Sequence, residues 1–143
     1  MSANWFSNFI PYEEPCEFHG LKFKTPEHLY QALKTDSWED TVKIANCDTP
    51  GQAKRMGGKV KLRANFESIK KDLMRFALEQ KFNRDTKFGQ RLIETKERCI
   101  EWNNWHDKIW GKCICPKCGG NGTNLLGEVL MEIRTTLNEL EVP

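Results

Sequence analysis

Three polar side chains share one face of a predicted helix near the start of the chain. In the segment PEHLYQALK, residues 26–34, Glu27, Gln31 and Lys34 follow one another at intervals of four and three residues. That spacing places them on one side of an α-helix. Glu27 also falls in the first turn, where the helix dipole stabilises an anionic carboxylate. The same pattern is typical of the solvated face of an amphipathic helix, so the spacing alone does not establish a site.

A second candidate for chemistry is the glycine-rich stretch WGKCICPKCGGNGTNLLG, residues 110–127. Cys113, Cys115 and Cys118 have the spacing of a metal-binding turn, but a structural zinc site needs four ligands. His106 is the nearest candidate for the fourth. The alternatives are the isolated cysteines, Cys16, Cys47 and Cys99. A reduced loop without metal is the competing interpretation. A phosphate-binding loop is disfavoured because the stretch lacks a Gly-Lys-Ser/Thr ending and a preceding strand.

Length and composition limit the classes of protein. A chain of 143 residues predicts one domain, residues 1–143, with enough length to bury a core. Its net charge of +2 is far from that of a strongly basic nucleic-acid-binding domain, yet it permits a small anionic ligand. The sequence shows neither a signal peptide nor an apolar run of membrane-spanning length. We therefore expect a cytoplasmic protein with reduced cysteines and no membrane partner.

Periodicity and turn signals predict a compact α+β fold that is mostly helical, with a few short N-terminal and central strands. The predicted helices span residues 26–34, 38–46, 50–57, 66–82 and 85–93, and the last follows residue 124. Their predicted N-caps are Thr25, Ser37, Thr49, Asn65 and Asn124. Two short strands are predicted within residues 16–24 and one at 98–102. A Cys/Gly-rich loop occupies residues 111–123.

A series of motifs runs in order along nearly the whole chain. They are FSNF at 6–9, GLKF at 20–23, PEHLYQALK at 26–34, PGQAKRMG at 50–57, RANFESIKKDLM at 63–74, Lys81-Phe82, Asp107-x-x-Trp110-Gly111, Asn124-x-Leu126-Gly127 and Leu130-Met131-x-x-Arg134. Together they resemble the signature of the NADAR (YbiA-like) family. Two departures stand out. Phe66 occupies a position where the family usually has Trp, and only some members have cysteines in the glycine-rich loop.

The resemblance implies an N-glycosidase with a compact, mainly helical α+β fold. The implied substrates are phosphorylated ribosylamino-pyrimidine intermediates of riboflavin biosynthesis, or ADP-ribosylated guanine in nucleotides or nucleic acid. No cofactor is expected to be required for catalysis, and any zinc ion in the cysteine loop would be structural.

Cleavage of an N-glycoside builds positive charge on the ribose while electrons leave with the base. On the matching positions, the resemblance and this chemistry assign catalysis to Glu27, Lys34 and Asp107. Glu27 would act as general base on water or as electrostatic partner of the sugar. Asp107 would share that role or fix the ribose hydroxyls. Lys34 could attack a ring-opened ribose and form a Schiff base, with Lys70 as the weaker candidate for that step.

Further residues suit substrate binding. Lys54 and Arg55 are candidates for phosphate, and Trp110 could stack on the base or pack in the core. The full predicted set is Asn8, Gln31, Lys54, Arg55, Lys70, Trp110 and Asn124. The predicted metal ligands are His106, Cys113, Cys115 and Cys118.

A different class of function is also compatible with the residues. A zinc-stabilised module could bind a nucleotide or nucleic acid without hydrolysing it. Basic residues within and just after the predicted helix 50–57 support this alternative: Lys54, Arg55, Lys59, Lys61 and Arg63. Replacing Glu27 with Gln distinguishes the two classes, because only an enzyme would lose turnover.

Overall fold

The structure, a computed structural model, describes residues 5–140, apart from the side chain of Leu140. Its helices are α1 Pro26–Leu33, α2 Trp38–Ala45, α3 Pro50–Gly57, α4 Phe66–Glu79, α5 Lys87–Glu94 and α6 Leu125–Leu140. Its strands are β1 Cys16–Phe18, β2 Leu21–Phe23, β3 Trp102–Asn103 and β4 Lys112–Cys113. The predicted mostly helical α+β fold is confirmed. Across the described residues, no helix is both long and apolar enough to cross a bilayer.

Three helix starts follow the predicted capping chemistry. The hydroxyl of Thr25 accepts a hydrogen bond from the backbone N–H of His28, and Pro26 takes the first helical position. Ser37 and Thr49 cap α2 and α3 in the same way. Each cap satisfies one of the N–H groups that a helix start leaves without a partner within the helix.

Other element boundaries differ from the prediction. Asn65 precedes α4 in a left-handed conformation and makes no side-chain cap, and the helix ends at Glu79 rather than near residue 82. Helix α5 begins at Lys87, since Thr86 and not Asp85 supplies the capping oxygen. The central strand is β3, which is shorter than the predicted 98–102 and pairs in parallel with β4.

Helix α1 lies at the centre of the molecule. It packs against α2, α3 and α4, while α4 and α5 pack against α6. All eight residues of α1 are buried, including the polar ones. His28 is fixed by Thr25 Oγ1 at 2.8 Å and by the carbonyl of Cys47 at 2.9 Å, so both ring nitrogens are used structurally. The polar face of α1 is therefore not a solvated face.

Candidate active site

The polar face of α1 forms one wall of a cleft with a volume of about 210 Å³. The cleft lies where α1, α3, the N-terminal segment and the segment between β3 and β4 meet. Its lining residues are Asn8, Phe9, Glu27, Tyr30, Gln31, Lys34, Lys54, Gly58, Glu101, Asn103, Trp105, Asp107 and Trp110. Seven of the residues predicted for catalysis or substrate binding are thus brought together: Asn8, Glu27, Gln31, Lys34, Lys54, Asp107 and Trp110.

Glu27 lies at the buried end of this group, with 3% of its surface exposed. One carboxylate oxygen accepts a short hydrogen bond from the Asn8 side-chain amide, and the other accepts from Gln31 Nε2 at 2.7 Å. Burial raises the pKa of Glu27, and the Gln31 hydrogen bond and the charges of Lys54 and Lys34 oppose that rise. The two amides fix the direction of the carboxylate, which is what a positioned base or charge stabiliser needs.

One polar atom of the Gln31 side chain has no hydrogen-bond partner in the described part of the chain. Its Oε1 is the buried side-chain oxygen or nitrogen that, among the described residues, has no hydrogen-bond partner. A buried acceptor without a partner is costly, and this oxygen lies against the backbone of Gly57, where it is closed to solvent. Gly57 of α3 leaves room for the Gln31 side chain in this position, because a Cβ at Gly57 would overlap it.

Two lysines bring positive charge to the cleft. Lys34 Nζ lies 5.3 Å from the centre of the Tyr30 ring and 5.7 Å from that of Phe66. Burial lowers the pKa of Lys34, although the nearby Glu27 carboxylate opposes this. Lys54 extends from α3 toward the Phe9 ring, with 5.9 Å between Nζ and the ring centre. The cleft therefore combines an amine that is partly desolvated with a more exposed cation.

The two carboxylate oxygens of Asp107 make different contacts. Its Oδ1 accepts hydrogen bonds from the backbone N–H groups of Ile109 at 3.1 Å and Trp110 at 2.9 Å. Its Oδ2 lies 3.9 Å from Lys54 Nζ. One oxygen of Asp107 therefore supports the backbone turn, and the other faces the Lys54 ammonium group.

Glu101 is a second acid in the cleft, half-buried, and it is not among the residues predicted from the sequence. Ser7 Oγ donates a hydrogen bond to its Oε1 at 3.1 Å. Burial raises the pKa of Glu101 to about 7, and the negative charge of Asp107 contributes while the Ser7 hydrogen bond opposes the rise. A carboxyl group with that pKa holds a proton near neutral pH, as a general acid must.

Aromatic rings border the cleft on two sides. Tyr30 and Trp110 meet edge to face with ring centres 5.3 Å apart. Phe9 and Trp105 stack with 6.2 Å between centres and 27° between planes. The second pair also borders an adjoining open cleft that includes Arg55. A base could lie against either pair, and the adjoining cleft offers a cation beside its rings.

Lys81 holds the N-terminal segment that supplies Asn8 and Phe9. Its Nζ donates hydrogen bonds to the carbonyl oxygens of Trp5 at 2.9 Å, Ser7 at 2.9 Å and Ile10 at 3.1 Å. Three acceptors match the three N–H donors of an ammonium group. The lysine of the Lys81-Phe82 motif is therefore a positioning residue for the cleft.

Three predicted binding residues lie elsewhere in the described structure. Lys70 pairs with Glu67 on the surface of α4, with 2.8 Å between Nζ and Oε2. Asn124 is fully buried, where it donates to the carbonyl of Cys99 at 2.9 Å and accepts from the N–H of Glu101 at 3.0 Å. Arg55 borders only the adjoining cleft. Asn124 thus fixes the backbone of Glu101 and is placed to act on the cleft indirectly.

The four predicted metal ligands converge beside the cleft and form what we term the metal cluster: His106, Cys113, Cys115 and Cys118. Their ligand atoms all lie within 4.8 Å of one another. His106 Nδ1 lies 3.7, 3.4 and 3.4 Å from the sulfurs of Cys113, Cys115 and Cys118. The N–H of Cys118 also points to Cys115 Sγ at 3.4 Å. The isolated cysteines Cys16, Cys47 and Cys99 are not part of this group.

The cleft residues that the sequence analysis missed have weak sequence signals. Glu101, Asn103 and Trp105 lie between α5 and α6, where no periodicity reveals which side chains point inward. Tyr30 belongs to the predicted helix but lies beside the polar stripe rather than on it. Phe9 is part of the FSNF motif, of which only the asparagine had been singled out.

Comparison with known proteins is consistent with this geometry. The sequence profile of the NADAR domain matches residues 1–138. The N-glycosidase YbiA of Shigella boydii is 35% identical over 136 residues, which cover 92% of this chain and 80% of that protein. A riboflavin biosynthesis protein of Vibrio vulnificus is 29% identical over 129 residues, which cover 87% of this chain and 34% of that protein.

A solved structure agrees in fold. The NMR structure of the Escherichia coli protein YbiA matches with a TM-score of 0.78 and 32% sequence identity, covering 99% of this chain and 84% of that one. The predicted enzyme class, an N-glycosyl hydrolase, is confirmed by relatives that are themselves N-glycosidases. The chain belongs to the NADAR family.

Proposed function

We propose that this enzyme hydrolyses the bond between a base-like nitrogen and the ribose of a phosphorylated substrate, with a ribosylamino-pyrimidine intermediate of riboflavin biosynthesis as the first candidate. The observation that carries the proposal is the buried Glu27 carboxylate, oriented by Asn8 and Gln31 and faced by the cations Lys34 and Lys54. The relative from Vibrio vulnificus named for riboflavin biosynthesis supports this substrate class.

A second candidate is ADP-ribosylated guanine. The adjoining cleft favours it, because Phe9, Trp105 and Arg55 border an open surface that continues from the main cleft. Such a surface suits the stacking of a second base and the charge of a diphosphate. The smaller substrate would occupy the main cleft alone.

Glu27 and Glu101 divide the acid–base work in the proposed reaction. Glu27 faces the ribose carbon, where its negative charge stabilises the developing positive charge and accepts a proton from the attacking group. Glu101 holds a proton near neutral pH and gives it to the departing nitrogen. Two carboxyl groups in different environments thereby take opposite roles, as in other glycoside-cleaving sites.

Lys34 supplies the attacking nitrogen. Burial lowers its pKa, which increases the fraction of neutral amine that is able to react. After the ribose ring opens to an imine with the base, the amine adds to the same carbon and the base leaves as an amine. Water then hydrolyses the lysine imine and releases the sugar phosphate as an aldehyde, with no change in oxidation state.

The remaining cleft residues bind and orient. Lys54 reaches the cleft rim, where its charge is available to a substrate phosphate, and Asp107 holds that ammonium in place. Trp110 and Tyr30 form a wall on which a pyrimidine ring can stack. Gln31 keeps the Glu27 carboxylate in its orientation through Nε2.

We further propose that the metal in the metal cluster is a structural zinc ion. Three thiolates and one imidazole are a common ligand set for structural zinc, and they complete its tetrahedral coordination. A tetrahedral ion with ordinary bond lengths places the ring nitrogen and each sulfur about 3.6 Å apart. The observed separations of 3.4 to 3.7 Å fit that geometry. All steps of the proposed reaction use side chains outside this cluster.

A chromatographic product assay tests the function. Wild type and Glu27→Gln are incubated with a ribosylamino-pyrimidine phosphate and, separately, with ADP-ribosylated guanosine. We expect wild type to release free base and Glu27→Gln to lose activity by about 100-fold or more while still binding. Release from the second compound alone would identify the second candidate. If folded wild type releases base from neither, both substrate assignments are wrong.

A further inference from the structure

We propose that the ion in the metal cluster fixes the tip of residues 103–110 and thereby places Trp105 at the mouth of the cleft as a substrate-binding wall. The inference rests on the proposed function and extends it. The ion would be required for tight substrate binding although it lies outside the reacting groups.

An ion explains the convergence of the four ligand atoms better than hydrogen bonds do. His106 Nδ1 lies within 3.7 Å of three sulfurs at once. One ring nitrogen has either one proton or one lone pair, so it cannot form three such hydrogen bonds. A single cation between the nitrogen and the sulfurs satisfies all four atoms together.

The ligand His106 lies between two residues of the cleft. Trp105 precedes it and Asp107 follows it, and both line the cleft wall. Because His106 is bonded directly to both residues, a shift of its backbone moves both neighbours. A metal ligand in this position couples the ion mechanically to the substrate-facing side chains.

The backbone of the segment also has attachments that do not involve the ion. Asn103 Oδ1 accepts from the N–H groups of Trp105 at 3.2 Å and Asp107 at 3.1 Å, on either side of His106. Thr123 holds the carbonyl of Lys108, with its N–H at 2.8 Å. These attachments remain when the ion is removed, so the segment as a whole would stay folded.

The conformation of His106 at the tip, and with it the direction of the Trp105 side chain, depends on the cluster. His106 has a φ of +68°, which is unfavourable for a residue with a side chain and persists where other contacts impose it. It is exposed, and Trp105 is 52% exposed. Packing against the core therefore does little to hold the tip in place. The metal bond to His106 fixes its conformation instead. Without it, the tip would relax and Trp105 would leave its stack on Phe9.

The first test combines metal content with kinetics. Elemental analysis should find about one zinc per chain in wild type and in Cys16→Ser, a control outside the cluster, and none in Cys118→Ser. We expect Cys118→Ser to raise KM at least about fivefold, which corresponds to the loss of one stacking contact. Its kcat should stay within about twofold of the wild-type value. Trp105→Ala should raise KM similarly, and the double variant should be no worse than either single one. Additive effects, or an unchanged KM without zinc, would overturn the proposal.

The second test needs no substrate. Hydrogen exchange of the peptide covering residues 104–109 is followed by mass spectrometry, with and without a zinc chelator. We expect exchange there to become at least tenfold faster when zinc is removed, while the helical peptides of α1 keep their protection. Unchanged exchange at the tip would reject the inference even in an active enzyme. Faster exchange in a wild type that cleaves neither substrate would leave the inference standing and reject the proposed function.

Discussion

The side chain of Gln31 lies directly against Gly57, so close that a Cβ at Gly57 would overlap its carbonyl oxygen. The same side chain donates a hydrogen bond to Glu27 through its other terminal atom. The absence of a side chain on α3 therefore determines where the amide that orients the Glu27 carboxylate can lie. A glycine that looks like a helix-ending signal in the sequence is part of the construction of the cleft.

Gly57→Ala should therefore damage the cleft through Gln31. We expect kcat/KM to fall at least tenfold and the free energy of unfolding to fall by about 1–3 kcal/mol, the usual cost of an overpacked site. The matched control is Gly51→Ala on the same helix, where the atom nearest to a new Cβ is 3.8 Å away. Steady-state kinetics and urea unfolding compare the two. Full activity in a stably folded Gly57→Ala would show that Gln31 does not orient Glu27.

Two substitutions at Asp107 should separate its turn role from its charge. Asp107→Asn keeps an oxygen for the N–H groups of Ile109 and Trp110 but loses the attraction to Lys54. We expect its kcat/KM to fall about tenfold or more with nearly wild-type stability. Asp107→Ala should in addition lose about 1 kcal/mol of stability, the typical value of a capping side chain. Equal stability of the two variants would contradict this division of roles.

The raised pKa of Glu101 predicts a pH dependence of stability. Its pKa is about 7 in the folded protein, against 4.5 for the unperturbed group. Between those values the folded state keeps a proton that the unfolded state has lost, so stability falls as the pH rises. The total loss would be about 3 kcal/mol. Urea unfolding between pH 4.5 and 8 should show this fall in wild type and a smaller one in Glu101→Gln.

Ser7→Ala provides a second check on the same group. The Ser7 hydroxyl favours the ionised carboxylate, so its loss should extend the fall in stability to higher pH. A profile that is the same in wild type, Glu101→Gln and Ser7→Ala would mean that Glu101 is ionised throughout, and the assignment of proton donor would be wrong.

The proposed lysine imine can be trapped chemically. Borohydride added during turnover should reduce the imine and leave a sugar-phosphate adduct on the peptide that contains Lys34. Lys34→Arg keeps a positive charge near Glu27 but cannot form the imine, so it should show no adduct and a kcat lower by about 100-fold or more. An active wild type without an adduct on Lys34 would indicate direct attack by water, with Glu27 as the base.

Much of the cleft could be predicted from local sequence patterns. The stripe of Glu27, Gln31 and Lys34 depends only on the helical repeat, and Thr25 and Pro26 define where that helix begins. The convergence of His106 with the cysteines could be anticipated because the four residues are close in sequence. In each case the information lies within about a dozen residues of the chain.

The rest depends on long-range packing. Glu101 and Asn103 become cleft residues because β3 pairs with β4 and because the buried Asn124 side chain holds the backbone at Cys99 and Glu101. Asn124 itself was misassigned in part, since its side chain bonds to that backbone rather than facing a ligand. Lys70 is the residue type that the lysine chemistry needs, but it lies outside the cleft and pairs with Glu67, three residues earlier on α4.

The three carbonyl bonds of Lys81 have a consequence for heat inactivation. The Lys81 side chain binds three carbonyl oxygens of the segment from Trp5 to Ile10, and that segment delivers Asn8 to Glu27. Trp5 and Phe6 also pack in the core, but releasing this segment alone exposes less apolar surface than melting the helices. On gradual warming, enzymatic turnover would therefore disappear at a lower temperature than the helical circular-dichroism signal, and cooling from that intermediate range would restore it.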